Sequence, residues 1–198
     1  MEYTKEVFAS YNKKYIRIYQ AYNPSIANEA VKLQNFGNNF NINRMTWIKS
    51  SFLWLMYRSN WGTKKNQECI LAIDVHREFF DRMLEKAILT SPDSMMFDGN
   101  EWEKRFKNTD VYCQWDSDRS LGGNPLNRAA IQIGIKGEAL SDFLDNGIYK
   151  IEDLTPTVRK WNERRKKRKL SIFELPTEKI YPVNDSKIRS RLDMKGVL

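Results

Sequence analysis

The sequence predicts a single α+β domain with a mixed or antiparallel sheet of about five strands and a buried central helix. Three observations support this fold class. The length of 198 residues suits one domain. Hydrophobic residues make up 41% and aromatic residues 13%, enough for a packed core. Strand-like and helix-like segments alternate in no regular order, which is typical of α+β proteins. We assign residues 1–170 to the domain, which ends in a basic helix, and residues 171–198 to a peripheral C-terminal tail.

Five segments have the pattern of β-strands. The first, Tyr15–Tyr22, alternates between two faces and is rich in tyrosine and isoleucine. The others are short, mostly apolar runs, at residues 69–75, 111–116, 130–135 and 148–154.

Helices are predicted between these strands. Asn23-Pro24 supplies an N-cap and a first-turn proline for a helix that ends at Gly37. The segment Arg44–Arg58 is apolar almost all round in its second half, so we predict the buried central helix here. Further helices are expected at residues 77–89 and 138–144, and Thr155-Pro156 begins the basic helix.

The positive charge of the chain is concentrated in one segment. The chain has 33 Lys and Arg against 25 Asp and Glu, a net charge of +8. Residues 159–169 hold eight cations and one glutamate, so they carry +7 of it. Its densest part predicts a nucleic-acid-binding surface formed by Arg164, Arg165, Lys166, Lys167, Arg168 and Lys169. A solvated helix end whose cations complement the helix dipole is the alternative.

Several classes of protein are disfavoured. Two distant cysteines in apolar runs predict buried free thiols, and a single histidine without a CxxC pair predicts no metal site. The longest apolar run has six residues, so no membrane span is expected. The N-terminus does not resemble a signal peptide, which predicts an intracellular protein, cytoplasmic or nuclear. The glycine spacing fits neither a P-loop nor a dinucleotide fingerprint.

The predicted central helix carries the first candidate site. Arg44, Ser51 and Arg58 recur every seven residues, so on a helix they form one stripe that drifts by roughly 20° per heptad. Trp47 and Trp54 lie beside the stripe. Two cations and a hydroxyl flanked by indoles suit a phosphate-bearing ligand with a flat base. The alternative is a pair of core tryptophans with arginines at the helix ends.

Other candidates lie on the strands. Arg17, Tyr19 and Gln20 form a polar edge of the first strand, which is either a ligand-recognition edge or a satisfied tyrosine-rich sheet face. We nominate Asp116 and Glu138 as catalytic carboxylates for charge stabilisation or proton abstraction, although surface carboxylates are common. Four further residues are candidates for substrate binding: Gln114, Trp115, Arg128 and Gln132.

Several segments resemble a bacterial and eukaryotic family that is defined only as a domain of unknown function. They are YQAYNPSIA (19–27), RMTWIKSSFLWLMYRSNWGTK (44–64), QECILAI (67–73), QWD (114–116) and RAAIQIGIKGEAL (128–140). The resemblance covers residues 15–160 and implies no activity. The chain has Ser50 and Ser117 at two positions where the resemblance leads us to expect proline.

A looser resemblance is to the ADP-ribosyltransferases, from the order of Arg17, Ser59, and Gln132 with Glu138. It implies that Arg17 holds the phosphates of NAD, that Ser59 orients the nicotinamide ribose, and that Glu138 stabilises an oxocarbenium-like transition state. NAD is therefore the leading cofactor candidate. The chain departs from the pattern because its serine follows a helix and its glutamate lacks the expected Glu-x-Glu or Gln-x-Glu context.

Two functions remain open from the sequence. The first is a nucleotide- or nucleic-acid-directed enzyme of the ADP-ribosyltransferase type, in which Arg17, Arg44 and Arg58 converge on phosphates in one pocket. The second is a non-catalytic nucleic-acid-binding module that uses the basic helix 159–169.

Overall fold

The computed structural model of the protein describes residues 3–91 and 99–196. Its centre is a seven-stranded mixed sheet with the strand order β5-β6-β7-β3-β2-β4-β8. All neighbours are antiparallel except β5 and β6. These strands are β2 (Tyr15–Tyr22), β3 (Thr46–Lys49), β4 (Cys69–His76), β5 (Ile88–Leu89), β6 (Val111–Arg119), β7 (Pro125–Ile135) and β8 (Ile148–Asp153). A small antiparallel sheet pairs β1 (Phe8–Ala9) with β9 (Lys179–Ile180). The α+β class is confirmed, with more strands than the five predicted.

Helices cover both faces of the large sheet. They are α1 (Pro24–Leu33), α2 (Phe52–Arg58), α3 (Arg77–Lys86), α4 (Gly99–Lys107), α5 (Gly137–Asp142), α6 (Thr155–Lys166) and α7 (Ser186–Arg191). A π-helical turn (Phe143–Gly147) extends α5, and a 3₁₀ turn (Ile172–Glu174) follows α6.

Each face of the sheet has its own hydrophobic core, because side chains alternate between the faces along a strand. On β2, Ile16 and Ile18 belong to the larger core, whereas Tyr19 belongs to the smaller one. Residues of α1, α3 and α5 pack in the larger core. Residues of α2 and α6, such as Phe52 and Val158, pack in the smaller core.

The predicted central helix over Arg44–Arg58 is wrong in its first half. Thr46–Lys49 forms strand β3 between β2 and β7, and only Phe52–Arg58 is helical. Thr, Trp and Ile favour strands, and the four residues alternate in burial, so tertiary pairing prevails over the helical pattern. Because Arg44 and Ser51 lie outside α2, the heptad stripe does not exist. The helical half is buried, as predicted, through residues such as Leu55 and Met56.

The C-terminal segment is not a peripheral tail in its described part. Tyr181 is fully buried, and its hydroxyl donates to Asp81 Oδ1 at 2.6 Å and accepts from Arg77 Nε at 3.0 Å. Val183 and Leu192 join the larger core. These apolar residues are separated irregularly by charged ones, so no periodic pattern marks them as core in the sequence.

Elements with strong local signals are confirmed. Strand β2 has the predicted bounds, and the Asn23 side chain accepts from the Ile26 amide at the start of α1. The basic helix begins at Thr155 as expected. Cys69 and Cys113 are buried and free. Within the described ranges, no helix combines the length and apolar character needed to cross a bilayer.

Candidate functional site

A polar cavity of about 550 Å³ lies on the α2 face of the sheet. Its floor crosses three strands, since Lys49 of β3 pairs with Gln132 of β7, which pairs with Gln114 of β6. Directly paired residues on neighbouring strands point to the same face, so these three side chains form one row. Trp54 and Arg58 of α2 also line the cavity. We call this cavity the Lys49 pocket.

The end of β6 forms one side of the Lys49 pocket. The pairing of β6 with β7 shifts register there, because Ser117 pairs with Ala129 whereas Arg119 pairs with Pro125, so the extra residues lie on β7. Asp116, Ser117 and Arg119 of β6 all line the pocket.

Asp116 is the carboxylate of the pocket, and two amides hold it in place. The Gln114 side chain donates to Asp116 Oδ1 at 3.2 Å, and the Gln132 side chain donates to Asp116 Oδ2. Both acceptor oxygens are thus oriented by the strand row itself. Asp116 has no ion-pair partner within 4.0 Å among the residues that the structure describes.

Lys49 is a largely buried amine, and no carboxylate of the described residues lies within ion-pair distance of it. Its Nζ donates to the carbonyl of Trp47 at 2.8 Å and lies 5.8 Å from the ring centroid of Trp54. Burial and, to a smaller extent, the positive charge of Arg58 together lower the pKa of Lys49 from 10.5 to about 7, while Asp116 opposes the shift. The protein therefore holds an amine that titrates near neutral pH at the centre of the pocket.

Two arginines add to the positive charge. The Arg58 guanidinium lies 5.7 Å from the Trp54 ring centroid, and that of Arg119 lies 4.1 Å from the Tyr57 ring centroid. Arg119 Nε is buried without a hydrogen-bond partner in the described structure. Like Lys49, neither arginine forms an ion pair with any described carboxylate. Three cations and one carboxylate therefore line the pocket.

A second buried charge cluster, which we call the Asp118 cluster, lies at the N-terminal end of α2 and is fully paired. Asp118 accepts from Ser51 Oγ and from Arg128 Nε, each at 2.8 Å. Glu178 accepts from the Phe52 amide at 2.7 Å, and Arg128 donates to it at 3.5 Å. Burial raises the pKa of Glu178 to about 7. The predicted ligand-binding residues Ser51 and Arg128 are thus engaged in internal contacts.

The structure brings together six of the residues predicted from sequence. They are Trp47, Trp54, Arg58, Gln114, Asp116 and Gln132. This group combines the stacking, phosphate-binding and carboxylate candidates in one cavity.

The predicted residues of the first strand lie elsewhere. Arg17 pairs with Asp74 at 2.7 Å and with Glu152 at 3.3 Å. Tyr19 is buried in the smaller core, and Gln20 is buried and donates to Thr46 Oγ1 at 2.8 Å.

The remaining candidates also lie outside the Lys49 pocket. Arg44 is exposed in the loop before β3. Ser59 is buried at the C-terminal end of α2, where it donates to the Leu55 carbonyl at 2.9 Å. Trp115 donates to the Leu192 carbonyl at 2.7 Å, and exposed Glu138 lines a separate cavity.

The expected convergence of Arg17, Arg44 and Arg58 is therefore wrong. The order Arg17–Ser59–Glu138, which resembles the ADP-ribosyltransferases, does not assemble in one place. Arg17 faces Asp74 across the β2–β4 pair, and Ser59 caps a buried helix end. Order along the chain says nothing of strand register, and register separates these residues.

Sequence reasoning missed Lys49, Tyr57 and Arg119 as pocket residues. The available signal was the alternation in Thr46–Lys49, because on a strand Lys49 shares a face with Trp47. Assigning the segment to a helix concealed that relation.

The basic segment at the end of α6 is partly paired. Arg164 forms an ion pair with Glu174, while Arg165 contacts Asn162 and the ring of Trp61. The next four cations, at positions 166–169, are exposed, and no described carboxylate pairs with them.

Comparison with known families gives one match. The family model described as "Domain of unknown function (DUF4291)" matches residues 6–181, and the chain belongs to this family. No curated protein matches the sequence. The matched range includes the whole Lys49 pocket, the Asp118 cluster and the basic segment.

Proposed function

We propose that this protein is an enzyme that binds a nucleotide, free or within a nucleic acid, in the Lys49 pocket. The observation that carries the proposal is that Lys49, Arg58 and Arg119 line one cavity without an ion-pair partner in the described structure. Lys49 and Arg119 are mostly buried, and desolvation disfavours an isolated ion at such a site, whereas Arg58 is exposed and accessible to an incoming ligand. An anionic ligand supplies the missing partner.

The other lining residues favour a nucleotide over a simple anion. Arg58 and Arg119 can each donate charge-assisted hydrogen bonds to phosphate oxygens. Tyr57 presents an exposed aromatic ring at the pocket, which the buried Trp54 also lines, and exposed aromatic rings stack on the flat face of a base. Asp116 and the neighbouring glutamines offer acceptors and donors for the edge of a base or for ribose hydroxyls.

Lys49 supports an enzyme over a passive binder. Because the pKa of Lys49 is about 7, its amine is neutral in roughly half of the molecules at neutral pH, and the neutral amine can take up a proton or act as a nucleophile. Strongly perturbed pKa values in clefts are typical of catalytic groups. Asp116 is the adjacent candidate for charge stabilisation.

The finer hypothesis of an ADP-ribosyltransferase has less support. Arg17 is engaged by Asp74 and Glu152, and Glu138 lies at another cavity. NAD remains a ligand to test, because its diphosphate and adenine suit the same cations and aromatic rings.

The alternative is a non-catalytic nucleic-acid-binding module. It is favoured by the cations at positions 166–169, which are exposed and form no ion pair with a carboxylate of the described residues. Under this alternative, binding depends on those cations alone and is insensitive to changes at Lys49 or Arg58.

Calorimetric titration with AMP, ATP, NAD, adenosine and inorganic phosphate tests the binding. We expect a phosphorylated nucleotide to bind more tightly than adenosine or phosphate. Arg58→Gln should weaken that binding about 10-fold or more, since a hydrogen bond to a charged group is worth about 1.5–3 kcal/mol. Arg44→Gln, which changes an exposed arginine outside the pocket, is the control. Equal affinities for the Arg58→Gln variant and the wild type would overturn the assignment of the site.

Amine modification tests the role of Lys49. We expect mass spectrometry to show Lys49 labelling that is half-maximal near pH 7, with the labelling of the exposed Lys150 followed in the same samples as the reference. The bound nucleotide should protect Lys49. Titration of Lys49 in the range of the exposed lysines would remove the argument for catalysis.

A further inference from the structure

A second cavity adjoins the Lys49 pocket. Its volume is about 490 Å³, and it shares Tyr57 and Arg58 with the pocket. Its other side is formed by Trp61, the Gly122-Gly123 loop and Arg165 of the basic helix. Because Tyr57 and Arg58 line both cavities, a ligand can extend past them from one cavity into the other.

Arg165 is held at the far side of this second cavity. Its Nε and Nη2 donate to Asn162 Oδ1 at 3.2 and 2.9 Å, and its guanidinium lies 4.9 Å from the ring centroid of Trp61. No described carboxylate forms an ion pair with Arg165. These contacts fix the orientation of the Arg165 side chain, and its positive charge remains available to bind an anionic group.

Exposed cations continue beyond Arg165. The helix ends at Lys166, and the chain turns at Arg168, whose φ is 55°. The Lys169 amide donates to the Arg164 carbonyl at 2.8 Å, which closes the helix end. The four cations at the turn, which we call the basic turn, are Lys166, Lys167, Arg168 and Lys169.

We infer that the ligand of the Lys49 pocket is a single-stranded nucleic acid. One nucleotide occupies the pocket, and the adjoining phosphates follow Arg58 and Arg165 to the basic turn. This inference rests on the proposed function. It adds that the substrate is a polymer and that the basic turn belongs to the same binding site.

Two features favour a single strand over other polyanions. Tyr57 is 48% exposed where the two cavities meet, so a neighbouring base can stack on it. The Lys49 pocket takes a base between α2 and the sheet, and a base in a duplex would first have to leave its stack. An acidic polypeptide has no flat bases that could stack on the aromatic rings between the cations.

Fluorescence anisotropy with labelled 12-nucleotide oligo-dT and oligo-U, alongside calorimetry with the mononucleotides, tests the inference. We expect the better oligonucleotide to bind at least about 30-fold more tightly than the tightest mononucleotide at low salt. A variant with glutamine at all four positions of the basic turn should lose most of that advantage and retain mononucleotide binding. For this variant, the slope of the logarithm of oligonucleotide affinity against the logarithm of salt concentration should be smaller in magnitude by up to about 3. Each of the four lost phosphate contacts accounts for about 0.7 of that slope.

A matched variant controls for net charge. Lys13, Lys14, Lys104 and Lys150 are exposed cations away from the two cavities, and changing all four to glutamine removes the same charge. This control should bind oligonucleotides within about 2- to 3-fold of the wild type if its only effect is the screened long-range field.

Each outcome separates the two proposals. Mononucleotide binding without an oligonucleotide advantage overturns the inference and leaves the proposed function intact. Oligonucleotide binding that Arg58→Gln does not weaken shows that the basic turn binds independently, which also overturns it. If polyglutamate displaces the labelled oligonucleotide as well as unlabelled oligonucleotide does, the surface binds polyanions in general, and this result also overturns the inference. Absence of all binding overturns the proposed function.

Discussion

The Lys49 pocket and the Asp118 cluster are built from similar residues on one face of the sheet, yet their charges are arranged in opposite ways. Strand β6 contributes a carboxylate to each, Asp116 and Asp118. Helix α2 joins them, with the Phe52 amide in the cluster and Arg58 in the pocket. In the cluster every charge has a partner, whereas in the pocket the cations have none among the described residues.

This difference indicates what each region is for. A paired and hydrogen-bonded buried charge resists the loss of either partner and fixes the local structure. An unpaired cation in a cavity lowers the stability of the free protein, and a bound anion offsets that loss. Burial disfavours the charged form of both groups, so it raises the pKa of the Glu178 carboxyl to about 7 and is the main cause that lowers the pKa of the Lys49 amine to about 7. The two regions should therefore respond oppositely to mutation and to pH.

The largest effect is expected when the cluster is broken. Asp118→Ala leaves Arg128 and Ser51 without their common acceptor, so it should lower the free energy of unfolding by about 3–5 kcal/mol. Urea denaturation measures the change. Asp145→Ala, at an exposed aspartate, is the control and should stay within about 0.5 kcal/mol of the wild type. A loss below about 1 kcal/mol for Asp118→Ala would contradict the role of the cluster.

Removing the central cation of the pocket should have the opposite sign. Lys49→Met is expected to raise the free energy of unfolding at pH 6 by about 1–3 kcal/mol, because the folded protein no longer holds a largely buried charge. It should also abolish the pH-dependent labelling and weaken nucleotide binding.

The pH dependence provides a sharper measurement of the same variant. Between about pH 7 and 10.5 the unfolded chain binds a proton at Lys49 that the folded chain does not, so wild-type stability rises with pH in this window. The advantage of Lys49→Met should therefore shrink above pH 7. Lys150→Met, at an exposed lysine, should show no such trend. An advantage that is constant from pH 6 to 9 would show that Lys49 has an ordinary pKa.

Glu178→Gln should reveal the opposite pH trend in the cluster. Between pH 4.5 and about 7 the folded chain binds a proton at Glu178 that the unfolded chain does not, so this group lowers stability as pH rises. Glutamine still accepts from the Phe52 amide, so the variant should lack this slope and gain about 1–2 kcal/mol on the wild type between pH 5 and 7. Glu163→Gln, at an exposed position, is the control. Parallel pH profiles for the wild type and Glu178→Gln would contradict the raised pKa.

The smallest effect concerns two adjacent serines between the regions. Ser50 and Ser51 are 2% and 1% exposed, but Ser50 Oγ has no hydrogen-bond partner among the described residues, whereas Ser51 Oγ caps α2 and donates to Asp118. Ser50→Ala should therefore leave stability unchanged or raise it by up to about 1 kcal/mol. Ser51→Ala should lower it by about 1–2 kcal/mol. Equal losses for the two variants in urea denaturation would contradict this assignment.

Much of the fold is predictable from local patterns, and the exceptions share a cause. Strand β2 and helix α6 carry complete local signals, namely alternation in the first and an initial Thr-Pro in the second. Strand β3 has only four residues and precedes an apolar helix, so its local signal merges with the helical one. Tyr181 contributes to the core through isolated contacts that no periodicity marks.

The sequence predicted the types of side chain at the candidate site better than it predicted which residues line the site. Trp54, Arg58 and Asp116 were identified because cations, indoles and carboxylates in apolar surroundings are rare enough to be noticed. Arg17 was misplaced because its pairing with Asp74, 57 positions further along the chain, depends on the register of two strands.

The amino-acid sequence is sufficient for predicting the α+β class, the strongest strand and helix boundaries, the concentration of positive charge in residues 159–169, and the residue types suited to a phosphorylated aromatic ligand. These properties depend on composition and on neighbours along the chain. Which charges are paired and which share a cavity depends on the tertiary fold. Partners such as Lys49 and Asp116 come from distant strands, and their environment follows from register and burial, which no local pattern encodes.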